Sequence, residues 1–306
     1  MKTCWKTAVA MGVVVLSSLG SANANSLLFP YFTTSSGAQS IVNIVSNGQA
    51  SSAEKLHYVY NYGALCVHFD ATGTMSQNDV LQHSIAAPFA GGSGKVVGSD
   101  TSTPVYFPVA NQQGFLVVST RTSEIAQING DMTIIDPNSG LVASYAAISN
   151  GVADTTGWRE GDFSGIADQK FDLSFLNPRL AQTSWYAVVT GNMYGVINSG
   201  SNWLGSQILS NGGAAYDNDG LQVPGYKSKQ ITCAGSFTPN DLLTPAQYAA
   251  TAVRGGLVHA TASNAGGDAT GLVLMKMQTV RVNPADPFSG KSSIHREAGQ
   301  VNWLGQ

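Results

Sequence analysis

Charge is scarce in this chain. Lys, Arg, Asp and Glu together make up 11% of its 306 residues, against the ~25% of an ordinary soluble domain. No stretch concentrates Lys and Arg, so the electrostatic footprint of a nucleic-acid binder is missing. Cysteine is equally sparse, with Cys4, Cys66 and Cys233 alone. Beyond residue 24 no apolar run approaches the ~20 residues of a membrane helix. Familiar catalytic signatures are missing too. No Ser sits in a G-x-S-x-G elbow, and there is no H-E-x-x-H. Gly94-Lys95 and Gly290-Lys291-Ser292 lack the Gly five places earlier that a phosphate loop requires; Phe89 and Ala285 stand there.

In place of charge the chain carries Gly, Ser, Thr, Asn and Gln, which predict a neutral, hydrogen-bonding surface. The first residues read as a secretory signal. Lys2 and Lys6 precede the apolar run Ala8 to Leu16, and Ala22 and Ala24 form an A-x-A pair. Cleavage is expected after Ala24. Two of the 15 basic residues leave with that segment, so 13 remain against 18 acidic ones, a formal charge of −5. Residues 25–306 are expected to form a single secreted β domain, with pseudo-halves 25–150 and 151–306 as a subdivision. Cys4 departs with the signal. Cys66 and Cys233 are then an even pair in an oxidising compartment and read as one disulfide. Two free buried thiols, or thiolate ligands, are the competing reading.

The densest pattern runs from Leu56 to Ser84. Leu56, Tyr58, Tyr60 and Tyr62 alternate with His57, Val59 and Asn61, the period of a strand. Leu65, Val67 and Phe69 then alternate against Cys66 and His68. Asp70 to Gly73 reads as a turn, and Ser76 with Asp79 as the cap of a short helix. Thr238-Pro239-Asn240-Asp241 repeats that arrangement after the second cysteine, and Pro245 opens a further helix to about Val253. Strands are expected over Gln39–Ser46, Pro104–Val109, Gly114–Arg121, Ser184–Thr190, Tyr226–Cys233, Gly256–Ala262 and Gly271–Val282. Asp131 to Ala147 reads as a hairpin around Asp136 to Gly140. Asn25 to Phe32 is an apolar leader that Pro30 limits to an edge strand or an extended arm. Asn202 to Leu209 reads as a short helix, Ala86 to Thr103 and Gly212 to Gly225 as loops, and the tail after Pro287 as loose up to Val301–Leu304. Asn150 to Asp168, with Trp158, Arg159 and Glu160, is the expected boundary between halves. Many short β runs with Gly and Asn turns predict an all-β fold, sandwich or jelly-roll-like, with antiparallel sheets and two or three short helices.

Three chemistries compete for this material. The first is a non-enzymatic secreted or cell-envelope structural protein that assembles with copies of itself; the apolar leader Leu27 to Phe32 can be lent as a strand to a neighbour, although lying on the protein's own sheet is the commoner arrangement. The second is a carbohydrate-binding module or carbohydrate-active enzyme meeting cell-surface glycans, with Tyr58, Tyr60 and Tyr62 as a stacking row. Half-buried core is the commoner fate of such rings. The third is a periplasmic copper or zinc binder using His57, His68 and His83 beside Cys66, although a disulfide consumes the sulfur. Asp217-Asn218-Asp219-Gly220 evokes a calcium loop but lacks its spacing and terminal Glu, which leaves a turn. No cofactor is expected.

Overall fold

The computed structural model describes residues 26–35, 37–46, 54–76, 78–86, 111–120, 128–136, 141–150, 161–251, 253–281 and 290–297. Among them the chain is mostly strand, in four antiparallel sheets with three short helices. The first sheet has the order β4 (Val67–Met75), β3 (Glu54–Tyr62), β6 (Gln113–Thr120), β1 (Ser26–Thr33), β9 (Ile148–Ser149). The second is β5 (Val80–Ala86), β2 (Gln39–Ser46), β7 (Ile128–Asp136), β8 (Leu141–Ala146). The third runs β14 (Gln222–Pro224), β13 (Ala214–Asp217), β17 (Gly255–Gly266), β12 (Ser206–Ser210), β15 (Ser228–Thr232), with β10 (Lys170–Leu176) also on β17. The fourth is β16 (Ala234–Phe237), β11 (Ala181–Gly191), β18 (Ala269–Arg281), β19 (Gly290–Glu297). The helices are α1 (Tyr194–Ser199), α2 (Pro239–Leu242) and α3 (Pro245–Thr251).

The leader is not an arm. β1 lies inside the first sheet, between β6 and β9, and all eight of its residues are buried. Pro30 is tolerated there for two local reasons. The register on β6 shifts between Phe29 and Phe32, and β9 pairs only with Leu27 and Leu28. Proline's missing donor therefore falls at a bulge, beyond the reach of the short neighbour.

Further expectations change. Asp70 to Gly73 is strand, the middle of β4, where Gly73 faces the Tyr58 ring so closely that a Cβ would stand 3.2 Å from it. Among the described residues no helix follows Ser76: Asn78 turns left-handed with φ 59°, the Asp79 carboxylate accepts from the Ser76 amide at 3.2 Å, and Val80 begins strand β5. Residues 206–210 are strand β12 rather than helix, because Ser-Gln-Ile-Leu-Ser is held between β15 and β17. The 290–297 segment of the tail is β19, paired along β18. Two short strands, β13 and β14, also occupy the 212–225 loop, and α1 forms where no helix was expected. Residues 1–24, 86–103 past Ala86, 104–109, 158–160 and 301–304 lie outside the described residues.

Strands β1–β9 build the first two sheets and β10–β19 the other two, so among the described residues no sheet mixes chain from before residue 150 with chain from after 169. Two covalently distant points join them. Cys66, in the β3–β4 turn, is bonded to Cys233, between β15 and β16. Both cysteines are buried and both adopt φ near +60°, 52° and 62°.

Candidate functional site

The tyrosine row sits inside the protein. Tyr58 and Tyr60 are fully buried, and Tyr62 is 9% exposed. β4 and β6 fill both edges of β3, and both of its faces are covered too: His57, Val59 and Asn61 are buried as well as the tyrosines. The tyrosine face packs on the second sheet. Tyr60 meets Phe32 edge-on with centroids 6.0 Å apart, and Tyr58 meets the His83 ring at 5.1 Å. Burial pushes the phenols of Tyr58 and Tyr60 well above their ordinary range. A sugar-stacking row needs exposed ring faces, and Tyr58 and Tyr60 present none.

The three histidines do not meet. His83, on β5, lies among the tyrosines, with Nε2 3.4 Å from the Tyr60 hydroxyl. His57 and His68 share the opposite face of the β3–β4 hairpin and converge on one carboxylate. His57 Nε2 is 3.1 Å from Asp70 Oδ1, and His68 Nε2 lies 2.8 Å from Asp70 Oδ2, an ion-pair distance without hydrogen-bond alignment. β-sheet registry explains the meeting: Asp70 opposes Val59, so it lies diagonally beside His57, and His68 is two residues along its own strand. Cys66 is committed to the disulfide and offers no thiolate. Among the described residues no three His, Cys, Asp or Glu side chains are placed to hold a metal ion.

The loop aspartates are structural. Asp217 Oδ1 accepts the amides of Asp219 and Leu221, closing the turn, and Asp219 pairs with Arg254. Two groupings escaped sequence reasoning because they join distant strands. His259 on β17 pairs with Asp172 on β10, its direct cross-strand neighbour, both side chains about half exposed. Lys276 on β18 is buried, with Nζ 2.8 Å from Ser174 Oγ and 3.6 Å from Glu297 Oε2; the same oxygen accepts from the Trp185 indole at 3.3 Å.

Among the surface clefts of the described residues are two of similar size. One, of about 420 Å³, lies beside the disulfide and is lined by Thr33, Ser35, Gly63, Gln112, Gln113 and Tyr186, among others. Its polar groups already serve the fold: Thr33 and Ser35 hydroxyls bond each other, and Gln113 accepts from Ser236. Tyr186 is 3% exposed. The other, of about 380 Å³, lies where the start of β11 meets α2 and α3. Its walls include Gln182, Thr183, Ser184, Asn240 and the half-buried Tyr248. Just behind it Asp241 pairs with Lys229 at 2.8 Å. Burial works against that carboxylate, but hydrogen bonds from Lys229 and Thr238 outweigh it and hold the group below its usual range.

No protein-family model matches the chain, and no curated protein matches it. The molecule's own geometry is therefore the ground for a functional reading.

Proposed function

We propose that this is a non-enzymatic structural protein of the cell envelope or the extracellular space. One observation carries the reading: a buried disulfide fastens the β3–β4 turn to the β15–β16 connection across a separation of 167 residues. Such bonds persist in oxidising compartments and are rare in the cytosol. A secretory signal cleaved after Ala24 accounts for how the chain reaches one. The low charge and abundance of neutral polar residues suit a protein whose role is to present a durable surface. No helix among the described residues is long and apolar enough to cross a membrane. Assembly with copies of itself belongs to the same reading, but it cannot use β1 as a donated strand, because β1 is already paired on both sides.

Expression of the full chain in a Gram-negative host tests the proposal. Fractionation is expected to find the protein outside the cytoplasm, beginning at Asn25, with neither thiol open to alkylation before reduction. A cytoplasmic protein in which Cys66 and Cys233 are both alkylatable overturns it. Sedimentation at rising concentration tests assembly, which a monomer at every concentration removes.

A further inference from the structure

We propose that the cleft between the start of β11 and helices α2 and α3 binds a neutral glycan chain, with Tyr248 as its stacking ring. At about 380 Å³ the cleft is within the ~300–1,000 Å³ typical of small-ligand sites. Among the described residues no charged one lines it. The charged groups behind it are already matched: Lys229 pairs with Asp241, and the Lys227 ammonium donates to the carbonyls of Asn240 and Leu243. The lining's polar groups are in a different state from those of the larger cleft. Among the described residues, the amides of Gln182 and Asn240, the hydroxyl of Ser184 and the phenol of Tyr248 make no side-chain hydrogen bond to the protein. Four neutral groups thus converge on one cleft with their capacity unspent.

That combination fits a sugar better than a peptide. Amides and hydroxyls both donate and accept, as the hydroxyls of a pyranose do, while the flat apolar face of the ring packs on one aromatic side chain. A polyproline segment needs a groove with several aromatic ridges, and this cleft has a single ring. An anionic ligand needs a cation in the lining. Arg179 is exposed next to Pro178 at the edge but does not line the cleft.

The site is built on a rigid frame. Tyr248 is held on α3, whose first turn is closed by Thr244 and Gln247: the Thr244 amide donates to Gln247 Oε1 at 3.0 Å. Gln247 is itself fully buried, and its side-chain amide donates to the carbonyls of Val223 and Gly225. Thr183 anchors the opposite wall by accepting the Leu176 amide.

Calorimetry on the full-length, oxidised mature protein tests the proposal. The probes are cellohexaose, maltohexaose, mannohexaose and chitohexaose, with an oligogalacturonate and a proline-rich peptide as the charged and peptidic arms. At least one neutral hexaose is expected to bind. Tyr248→Ala is expected to weaken that binding about tenfold, the equivalent of ~1.4 kcal/mol. The exposed Gln182→Ala, which leaves the core untouched, should weaken it as well, whereas Tyr226→Ala, outside the cleft, should not. No binding of any neutral hexaose overturns the proposal. So does binding that Gln182→Ala and Tyr248→Ala leave intact in variants with unchanged melting, or binding of the anionic or peptidic probe alone. The envelope reading is tested separately and stands or falls without this site.

Discussion

His83 is 1% exposed, wedged edge-on against Tyr58 and in contact with the Tyr60 hydroxyl. Burial lowers its pKa from the ordinary 6.5 to about 3. The folded protein therefore keeps this imidazole neutral while the unfolded chain binds a proton below pH 6.5. The sign follows: the stabilisation is complete above pH 6.5 and drains away as pH falls toward about 3, at ~1.4 kcal/mol per pH unit. Urea unfolding at pH 7, 5 and 4 should show this loss in the parent and a flatter profile in His83→Leu. Equal slopes in the two proteins would contradict the account. His83 also shows what one strand of sequence hides. The period-two alternation of Leu56 to Tyr62 was readable, and so was a strand. That His57 and Asn61 are buried along with the tyrosines was not, because polar residues on a second face normally mark solvent. Here Gly200, from the second part of the chain, stands next to Asp70, and Asn61 lies 3.9 Å from the sulfur of Cys66 in the adjoining turn.

At the scale of elements, one motif gives two outcomes. After the strand that follows each cysteine, a hydroxyl residue is followed three places on by Asp, and the contacts match. Asp79 accepts from the Ser76 amide and hydroxyl at 3.2 and 3.4 Å, and Asp241 accepts from those of Thr238 at 2.8 and 3.0 Å. Only Thr238 starts a helix. Pro239 presets the helical φ there, whereas Asn78 turns left-handed and Val80 enters a strand at once. The cap was legible; the conformation beyond it depended on the pairing of β5 with β2, a long-range choice. The same competition explains residues 206–210, drawn into strand by partners on both sides. Replacing Asp241 by Ala should cost about 1 kcal/mol by removing the cap. Lys229→Met, which removes only a part-exposed ion pair, should cost less. Chemical denaturation of both variants checks the order, and a larger loss for Lys229→Met would mean that the ion pair, not the cap, holds α2.

For the molecule as a whole, composition and turn residues were enough to predict antiparallel sheets and few helices, and setting Cys4 aside with the expected signal segment was enough to pair Cys66 with Cys233. The clefts were not legible, because Gln182, Asn240 and Tyr248 come from three separate elements. Nor was the central place of β1, whose proline argued for an edge. The bond between Cys66 and Cys233 has one more consequence, for a molecule under load. Stretched from its two ends, the oxidised chain carries tension through the sulfur bridge, and the segment enclosed by it stays slack-free and folded out of the line of force. Reduction should release 167 residues, about 570 Å of added contour at ~3.4 Å each. Single-molecule extension with and without reductant would register that difference directly; identical contour lengths would mean the bridge does not bear the strain.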